Sequence, residues 1–162
     1  MTRRRSDDAQ APPQGSPRLA ALRLLGRRDY SAAEITTRLT ERGYAADDVE
    51  AIVTALVADG AVDDRRTAFA HVRTAARIKG RGTHRIRREL ERRGIAASVI
   101  RDALAQLSPD DDLAAIQRQL TRRRRPGPLA PADRRRLFQQ LLRRGFPADL
   151  IARALDVDPE EI

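Results

Sequence analysis

The chain has 162 residues, with 32 lysines and arginines against 23 aspartates and glutamates, which gives a formal net charge of +9. It contains no cysteine, and this excludes a disulfide framework, a zinc–thiolate site and a thiol nucleophile. All the lysine and arginine positions except Lys79 are arginine, so the surplus charge favours a polyanionic partner that presents phosphate or carboxylate groups.

The N-terminal segment, residues 1–17, is predicted to be a disordered tail. Three prolines lie there among polar and small residues, and such a composition buries too little apolar surface to offset the entropy of ordering.

No apolar stretch follows the charged first residues, so we do not expect a secretory signal. Apolar runs elsewhere are too short for a membrane helix. We therefore expect a cytoplasmic protein that does not contact membranes.

After this tail, apolar residues recur with helical spacing and predict three short helices within about 40 residues. Ser31 and Glu34 form a capping box, in which each side chain satisfies a free backbone amide at the start of the second helix. Gly43 stands where a left-handed helix end is expected. Asp47 and Asp48 are predicted to cap the third helix.

The same pattern recurs with a period of 51 residues, measured between Gly43, Gly94 and Gly145. Five apolar positions match in all three copies without a gap, and the residue before each glycine is an arginine. The matched apolar residues are Ile35, Ile86 and Leu137; Leu39, Leu90 and Leu141; Tyr44, Ile95 and Phe146; Val49, Ile100 and Ile151; and Val53, Leu104 and Leu155. These matches predict three tandem three-helix units at residues 18–60, 61–108 and 109–157, followed by a C-terminal tail at 158–162.

The first helix of each unit is the least alike, and it is expected at about residues 65–78 in the second unit and 111–124 in the third. Three prolines at residues 125–131 predict an irregular loop before the second helix of the third unit. No stretch alternates in the way a strand requires. The expected fold is therefore an all-α tandem array without a sheet, elongated because stacked units bury one another's faces.

Patterns for catalysis and metal binding are weak. Gly80 and Gly82 form a local Gly-x-Gly between two helices, without the third glycine of a dinucleotide loop, and we interpret them as a helix terminator and turn. His71 and His84 lack metal-ligand spacing. Three aspartates at residues 110–112 stand just before a helix, where acidic groups complement the helix dipole. We expect no enzymatic activity, metal or cofactor.

The second helix of the middle unit carries arginines suited to phosphate binding. Ile86 and Leu90 are predicted to point inward, which places Arg85, Arg88 and Arg92 together on the outward face. The alternative is a solvated charged face that the glutamates of the same helix partly neutralise.

Two further groups of cations are candidate contacts to nucleic acid or acidic protein. Lys79 and Arg81 lie on a glycine-flexed turn that leads into a helix N-terminus, whose free backbone amides would attract an anion. Like-charged side chains crowd the Pro-rich loop, where their repulsion disfavours a purely structural role. They are Arg122, Arg123, Arg124 and Arg125, which run up to the first residue of the loop, and Arg134, Arg135 and Arg136 after it.

Several of these segments resemble the RecX family. In the first unit they are residues 28–35, Arg-Asp-Tyr-Ser-Ala-Ala-Glu-Ile, and 42–44, Arg-Gly-Tyr. In the middle unit they are residues 79–82, Lys-Gly-Arg-Gly; 85–90, Arg-Ile-Arg-Arg-Glu-Leu; and 93–95, Arg-Gly-Ile. The resemblance covers residues 18–157 and is less tight in the third unit.

The resemblance implies a modulator of the bacterial recombinase RecA, which binds RecA and RecA filaments on single-stranded DNA and mainly inhibits recombination, ATP hydrolysis and co-protease activity. It also implies a curved helical array that fits the groove of such a filament. The expected partners are RecA, its filament, single-stranded DNA and, more weakly, duplex DNA, and the chain is expected to be a monomer. The candidate DNA- or RecA-binding residues are Lys79, Arg81, Arg85, Arg88, Arg92, Arg122, Arg123, Arg124, Arg125, Arg134 and Arg135.

A helix-turn-helix transcription regulator is the alternative function, because three-helix units with a glycine turn superficially share that geometry. Its recognition helices would need side chains that read bases, yet the helices after the three glycines are mostly apolar, alanine or acidic. Footprinting on random duplex DNA would separate the two functions, since a discrete protected site would favour the transcription regulator.

Overall fold

The computed structural model describes residues 15–122 and 129–157, and this part of the chain contains nine helices and no strand. The predicted all-α class is confirmed. No helix among these residues is long and apolar enough to cross a membrane. The helices are α1 (Pro17–Leu25), α2 (Ala32–Thr40), α3 (Ala46–Ala58), α4 (Asp64–Arg77), α5 (Thr83–Arg92), α6 (Ala97–Leu104), α7 (Pro109–Thr121), α8 (Pro131–Arg143) and α9 (Ala148–Leu155).

Parts of the predicted tails and loop lie outside the described residues, namely 1–14, 125–128 and 158–162. Pro17, predicted to belong to the N-terminal tail, is the first residue of α1, and Ser16 is its N-cap residue. Pro131, predicted to belong to the irregular loop, is the first residue of α8. Both differences have one cause: proline has no amide hydrogen to lose at the first helical position, and its fixed φ suits the helix there.

The helices form two compact units, of which the first ends at Asp63 and the second begins at Asp64. The first unit contains α1–α3 around one hydrophobic core. The second contains α4–α9 around two cores, one within α4–α6 and the following loop and the other within α7–α9. Each set of three helices therefore buries its own apolar side chains.

The 51-residue repeat has a direct structural counterpart. Gly43, Gly94 and Gly145 all have positive φ, at 85°, 69° and 86°, so each glycine provides a left-handed turn that most other residues adopt only with strain. The matched apolar residues are buried except for Tyr44, Val53 and Leu137, which are partly buried and pack against the cores. The predicted inward faces are thereby confirmed.

Helix capping follows the sequence at α2 but not at α3. The amide of Glu34 donates to Ser31 Oγ at 3.1 Å and the amide of Ser31 donates to Glu34 Oε2 at 2.9 Å, which confirms the capping box. The prediction that Asp47 and Asp48 cap α3 is wrong. The N-cap residue is Ala45, and both aspartates lie in the first helical turn, where their charge complements the helix dipole.

Two glycines bring α5 against the turn between α8 and α9. The amide of Gly82 donates to the Arg144 carbonyl at 2.9 Å, and the amide of His84 donates to the Gly145 carbonyl at 3.0 Å. A Cβ atom on Gly82 would overlap backbone atoms of Gly145 and Phe146, and one on Gly145 would overlap the backbone of Arg85. The two backbones therefore approach more closely than a side chain would allow.

A buried carboxyl group on α7 links this helix to α5. Asp112 is 6% exposed, and its Oδ2 accepts a hydrogen bond of 2.6 Å from Thr83 Oγ1. Burial raises the pKa of Asp112 above its ordinary value, although the hydrogen bonds from Thr83 oppose this effect. The folded chain thus holds a proton on this carboxyl more readily than the unfolded chain does.

Asp112→Asn is expected to change the dependence of stability on pH. The contribution of Asp112 to stability is fully present below its ordinary pKa of 3.8 and is lost as the pH rises through its raised folded value. Asparagine does not titrate and still offers Thr83 an acceptor. Urea unfolding should therefore show the variant gaining stability relative to the original chain as the pH rises from below 3.8 to neutral. A difference that stays constant with pH would contradict this.

Candidate nucleic-acid interface

The candidate binding residues differ in how accessible their side chains are. Arg123, Arg124 and Arg125 lie outside the described residues. Arg81, Arg85 and Arg134 are partly buried. The exposed candidates are Lys79, Arg88, Arg92, Arg122 and Arg135, and Arg136 beside them is also exposed.

Glu89 on α5 binds two of the candidate arginines and a histidine. Its carboxylate accepts hydrogen bonds from Arg81 Nη1 at 2.6 Å, from Arg85 Nε at 2.9 Å and from His71 Nε2 at 3.0 Å. The prediction that Arg85 shares a free outward face with Arg88 and Arg92 needs correction, because its guanidinium turns along the helix to Glu89. The other two side chains are exposed.

The protonation states within this group follow from its geometry. Burial alone would raise the pKa of Glu89, but hydrogen bonds from Arg85, His71 and Arg81 together leave that pKa below its ordinary value. Burial lowers the pKa of His71 more than its hydrogen bond to Glu89 raises it. At neutral pH the group therefore consists of an ionised carboxylate, two arginines and a neutral imidazole that donates a hydrogen bond to the carboxylate.

The predicted anion site at the N-terminus of α5 is wrong. That expectation required free amides, but the amides of Gly82 and His84 donate to the carbonyls of Arg144 and Gly145. The interpretation of the Gly-x-Gly as a terminator and turn is confirmed, since Gly80 has a φ of +56° and Gly82 is the N-cap residue of α5.

A cleft between the C-terminal end of α4 and the face of α7 gathers cations that lie far apart in the sequence. We call it the cationic cleft. Its volume is about 220 Å³, and the uncharged residues Gly80 and Gln119 line it beside the cations. No acidic side chain is among its lining residues, and no carboxylate of the described residues forms an ion pair with its cations. The cations are Arg77, Lys79, Arg118, Arg122 and Arg144.

The sequence predicted only Lys79 and Arg122 among these five cations. Arg118 lies four residues before Arg122 on α7, so helical spacing could have identified it. Arg144 could have been suspected from the arginine that precedes each repeat glycine. Their meeting at one cleft depends on the contact between the α8–α9 turn and α5, and no local pattern encodes that contact.

The aspartates and histidines do not form a metal-binding cluster in the described part of the chain. No group of three or more histidines, aspartates and glutamates there is placed to hold a metal ion. Asp111, from the aspartate run, forms a capping box with Ser108, whose Oγ accepts from the Asp111 amide at 3.2 Å. The Asp111 side chain therefore serves the helix terminus, whereas that of Asp112 binds Thr83.

Comparison with known protein families gives three matches in the order of the repeats. Residues 18–56 match the model of the first three-helix domain of RecX, residues 63–104 match the second, and residues 110–155 match the third. Each match covers three of the nine described helices, apart from a residue or two at their ends.

Curated relatives and solved structures agree with this family match. The chain is 37% identical over 142 residues to the regulatory protein RecX of Chromohalobacter salexigens, with coverage of 88% of this chain and 92% of that protein. It is 39% identical over 148 residues to the regulatory protein RecX of Halorhodospira halophila, with coverage of 87% and 89%. A crystal structure of RecX from Lactobacillus salivarius shares the fold, with a TM-score of 0.74, 23% identity and coverage of 86% of this chain and 94% of that one.

Proposed function

The chain belongs to the RecX family, and on this basis we propose that it binds RecA and RecA filaments on single-stranded DNA and mainly inhibits their recombinase, ATPase and co-protease activities. The observation that carries the proposal is the match of all three RecX three-helix domains, in order, along the helical part of the chain. Relatives that this chain covers at close to full length are named regulatory proteins. The proposed role is that of a cytoplasmic binding regulator without catalysis or cofactor.

The surface of the second unit supports contact with phosphate groups. Arg88 and Arg92 are exposed on α5, and the cationic cleft adds five further cations. Each phosphate that such residues neutralise releases counterions, so binding should weaken with salt.

Base stacking is not favoured by the described aromatic residues. Phe138 and Phe146 are buried, Tyr44 and Phe69 are partly buried in the cores, and the guanidinium of Arg28 covers the Tyr30 ring at 3.6 Å. Stacking needs an accessible aromatic face. The DNA contribution to the interface is therefore proposed to be mainly electrostatic.

Filament binding tests this proposal. RecA filaments assembled on immobilised single-stranded DNA should retain the chain, and Arg88→Gln with Arg92→Gln should lower the affinity about fivefold. The salt dependence should become shallower by about 0.7 for each phosphate contact removed. We choose these two residues because both are exposed and Arg85 is already paired with Glu89.

The matched control changes Arg101→Gln and Arg153→Gln, two exposed arginines on α6 and α9 that lie outside the cationic cleft. It removes the same net charge and should bind filaments like the original chain. Filaments that retain no more chain than bare beads would contradict the proposed function. Equal losses in both variants would show that overall charge, and not this face of α5, determines binding.

A further inference from the structure

We propose that the cationic cleft is a binding site for a single phosphate group, supplied either by the backbone of a nucleic acid or by a free phosphate or pyrophosphate ion. In the first case the site deepens the proposed function, because it gives one DNA phosphate a fixed position on the chain. In both cases the lining residues all come from this chain, so binding of the phosphate group can be tested without RecA.

The balance of charge around the cleft is the first argument. Five cationic side chains line it, and like charges placed around one space repel one another. Arg77 and Arg118 also line a smaller neighbouring cavity of about 40 Å³, where Asp111 and Asp112 face them. Hydrogen bonds to Ser108 lower the pKa of Asp111 most strongly, and the charges of Arg77 and Arg118 lower it further.

The remaining three cations have no such compensation. Lys79, Arg122 and Arg144 line the cationic cleft but not the neighbouring cavity, and they form no ion pair with a carboxylate in residues 15–122 or 129–157. An anion seated among them would relieve their mutual repulsion. Guanidinium groups present planar forks of donors that match the oxygens of phosphate as well as of carboxylate, so the site is chemically suited to the phosphate that we propose.

The backbone around the cleft is held in place before any ligand arrives. The amide of Gly82 fixes the carbonyl of Arg144 at 2.9 Å, and Gly80 adopts a left-handed φ of +56° directly beside the cleft. A Cβ atom on Gly80 would lie 2.7 Å from Gln119 Nε2 and 3.6 Å from Arg144 Nη1. The missing side chain therefore leaves room for these two donors at the turn, and a fixed donor set loses less entropy on binding.

The size of the cleft favours one phosphate group over a larger ligand. A volume of about 220 Å³ corresponds to roughly seven waters at ~30 Å³ each, which is enough for one phosphate with part of its hydration shell. Pockets that enclose drug-sized ligands begin at about 300 Å³. A nucleotide or strand would thus place only its phosphate in the cleft and leave the rest outside.

Titration of the purified full chain tests the site. Inorganic phosphate and pyrophosphate are added to the ¹⁵N-labelled chain, and the signals of the Gly80 amide and the Gln119 side-chain amide should shift with saturation. A fluorescent oligothymidylate is titrated separately at several salt concentrations. Both titrations are repeated with Arg122→Gln together with Arg144→Gln, and with the Arg101→Gln, Arg153→Gln control.

The cleft variant should bind its ligand at least tenfold more weakly than the original chain, whereas the control should change by less than twofold. Weaker binding of both ligands assigns the site to free anions as well as to nucleic acid. Weaker binding confined to phosphate and pyrophosphate assigns it to free anions, and weaker binding confined to the oligonucleotide assigns it to the backbone. Arg122→Gln alone, at an exposed position, should give a partial loss if the double variant unfolds. Equal affinity of the cleft and control variants for both ligands would overturn the proposal, and would leave the RecA assays unaffected.

Discussion

Gly82→Ala is expected to destabilise the second compact unit by about 3 kcal/mol, which is a large effect for the addition of one methyl group. Gly82 has a φ of −79°, a value that alanine adopts without strain, so the backbone conformation itself would accept the change. The added Cβ, however, would overlap backbone atoms of Gly145 and Phe146, and backbone cannot move aside as a flexible side chain can. The α8–α9 turn would have to separate from α5.

Gly60→Ala is the matched control for this prediction. Gly60 has a φ of +70°, but a Cβ atom added there would meet no other atom within 4 Å, so only the strain of the left-handed conformation, about 1–2 kcal/mol, is expected. Hydrogen exchange should show strong loss of protection in α5 and α9 for Gly82→Ala and a weaker loss in α3 for Gly60→Ala. The reverse order would mean that backbone conformation, and not the close approach, determines stability at these glycines.

Ile86→Asp is expected to unfold the second unit. Ile86 is fully buried in the core that contains Val72 and Leu90, and a carboxylate there would have neither water nor a partner. Burying an unpaired charge costs more than about 4 kcal/mol in the folded state, which is comparable to the whole stability of many small domains. The second unit holds six of the nine described helices, so most of the helical signal in circular dichroism should disappear.

The neighbouring exposed residue provides the control for Ile86→Asp. Arg87→Asp introduces the same side chain one position along α5, where solvent surrounds it. We expect this variant to keep its helicity and to lose less than about 1 kcal/mol of stability. Full helicity in the Ile86→Asp variant would contradict the inward orientation on which the repeat assignment rests.

The fold could be predicted because its determinants are local and repeated. Ile86 and Leu90 share one face by helical spacing, and Gly94 stops the helix with a left-handed turn that the repeat pattern indicates. Ser31 and Glu34 likewise interact across three residues. The prediction that Asp47 and Asp48 cap α3 was wrong because an acidic residue fits both the N-cap position and the first helical turn. Only the backbone path at Ala45 distinguishes these two positions.

The candidate site was less predictable because its contacts join distant residues. The pairing of Arg85 with Glu89 is four residues apart and could have been inferred from the helical spacing, but His71 reaches the same carboxylate from 18 residues away. Gly82 and Arg144 meet across 62 residues through backbone atoms, which leave no side-chain signature. The same contact occupies the amides of Gly82 and His84 and places Arg144 at the cationic cleft. The sequence does not reveal this contact, which explains both why the amides at the start of α5 were wrongly predicted to bind an anion and why the cleft was not predicted.

The proposed regulation of RecA is tested most directly by the rate at which RecA hydrolyses ATP on single-stranded DNA as the purified chain is added. We predict that the rate falls progressively and saturably with the original chain and with the Arg101→Gln, Arg153→Gln control, and that Gly82→Ala requires a much higher concentration for the same inhibition. An ATPase rate that stays unchanged at every concentration of the folded original chain would contradict the proposed inhibition of RecA.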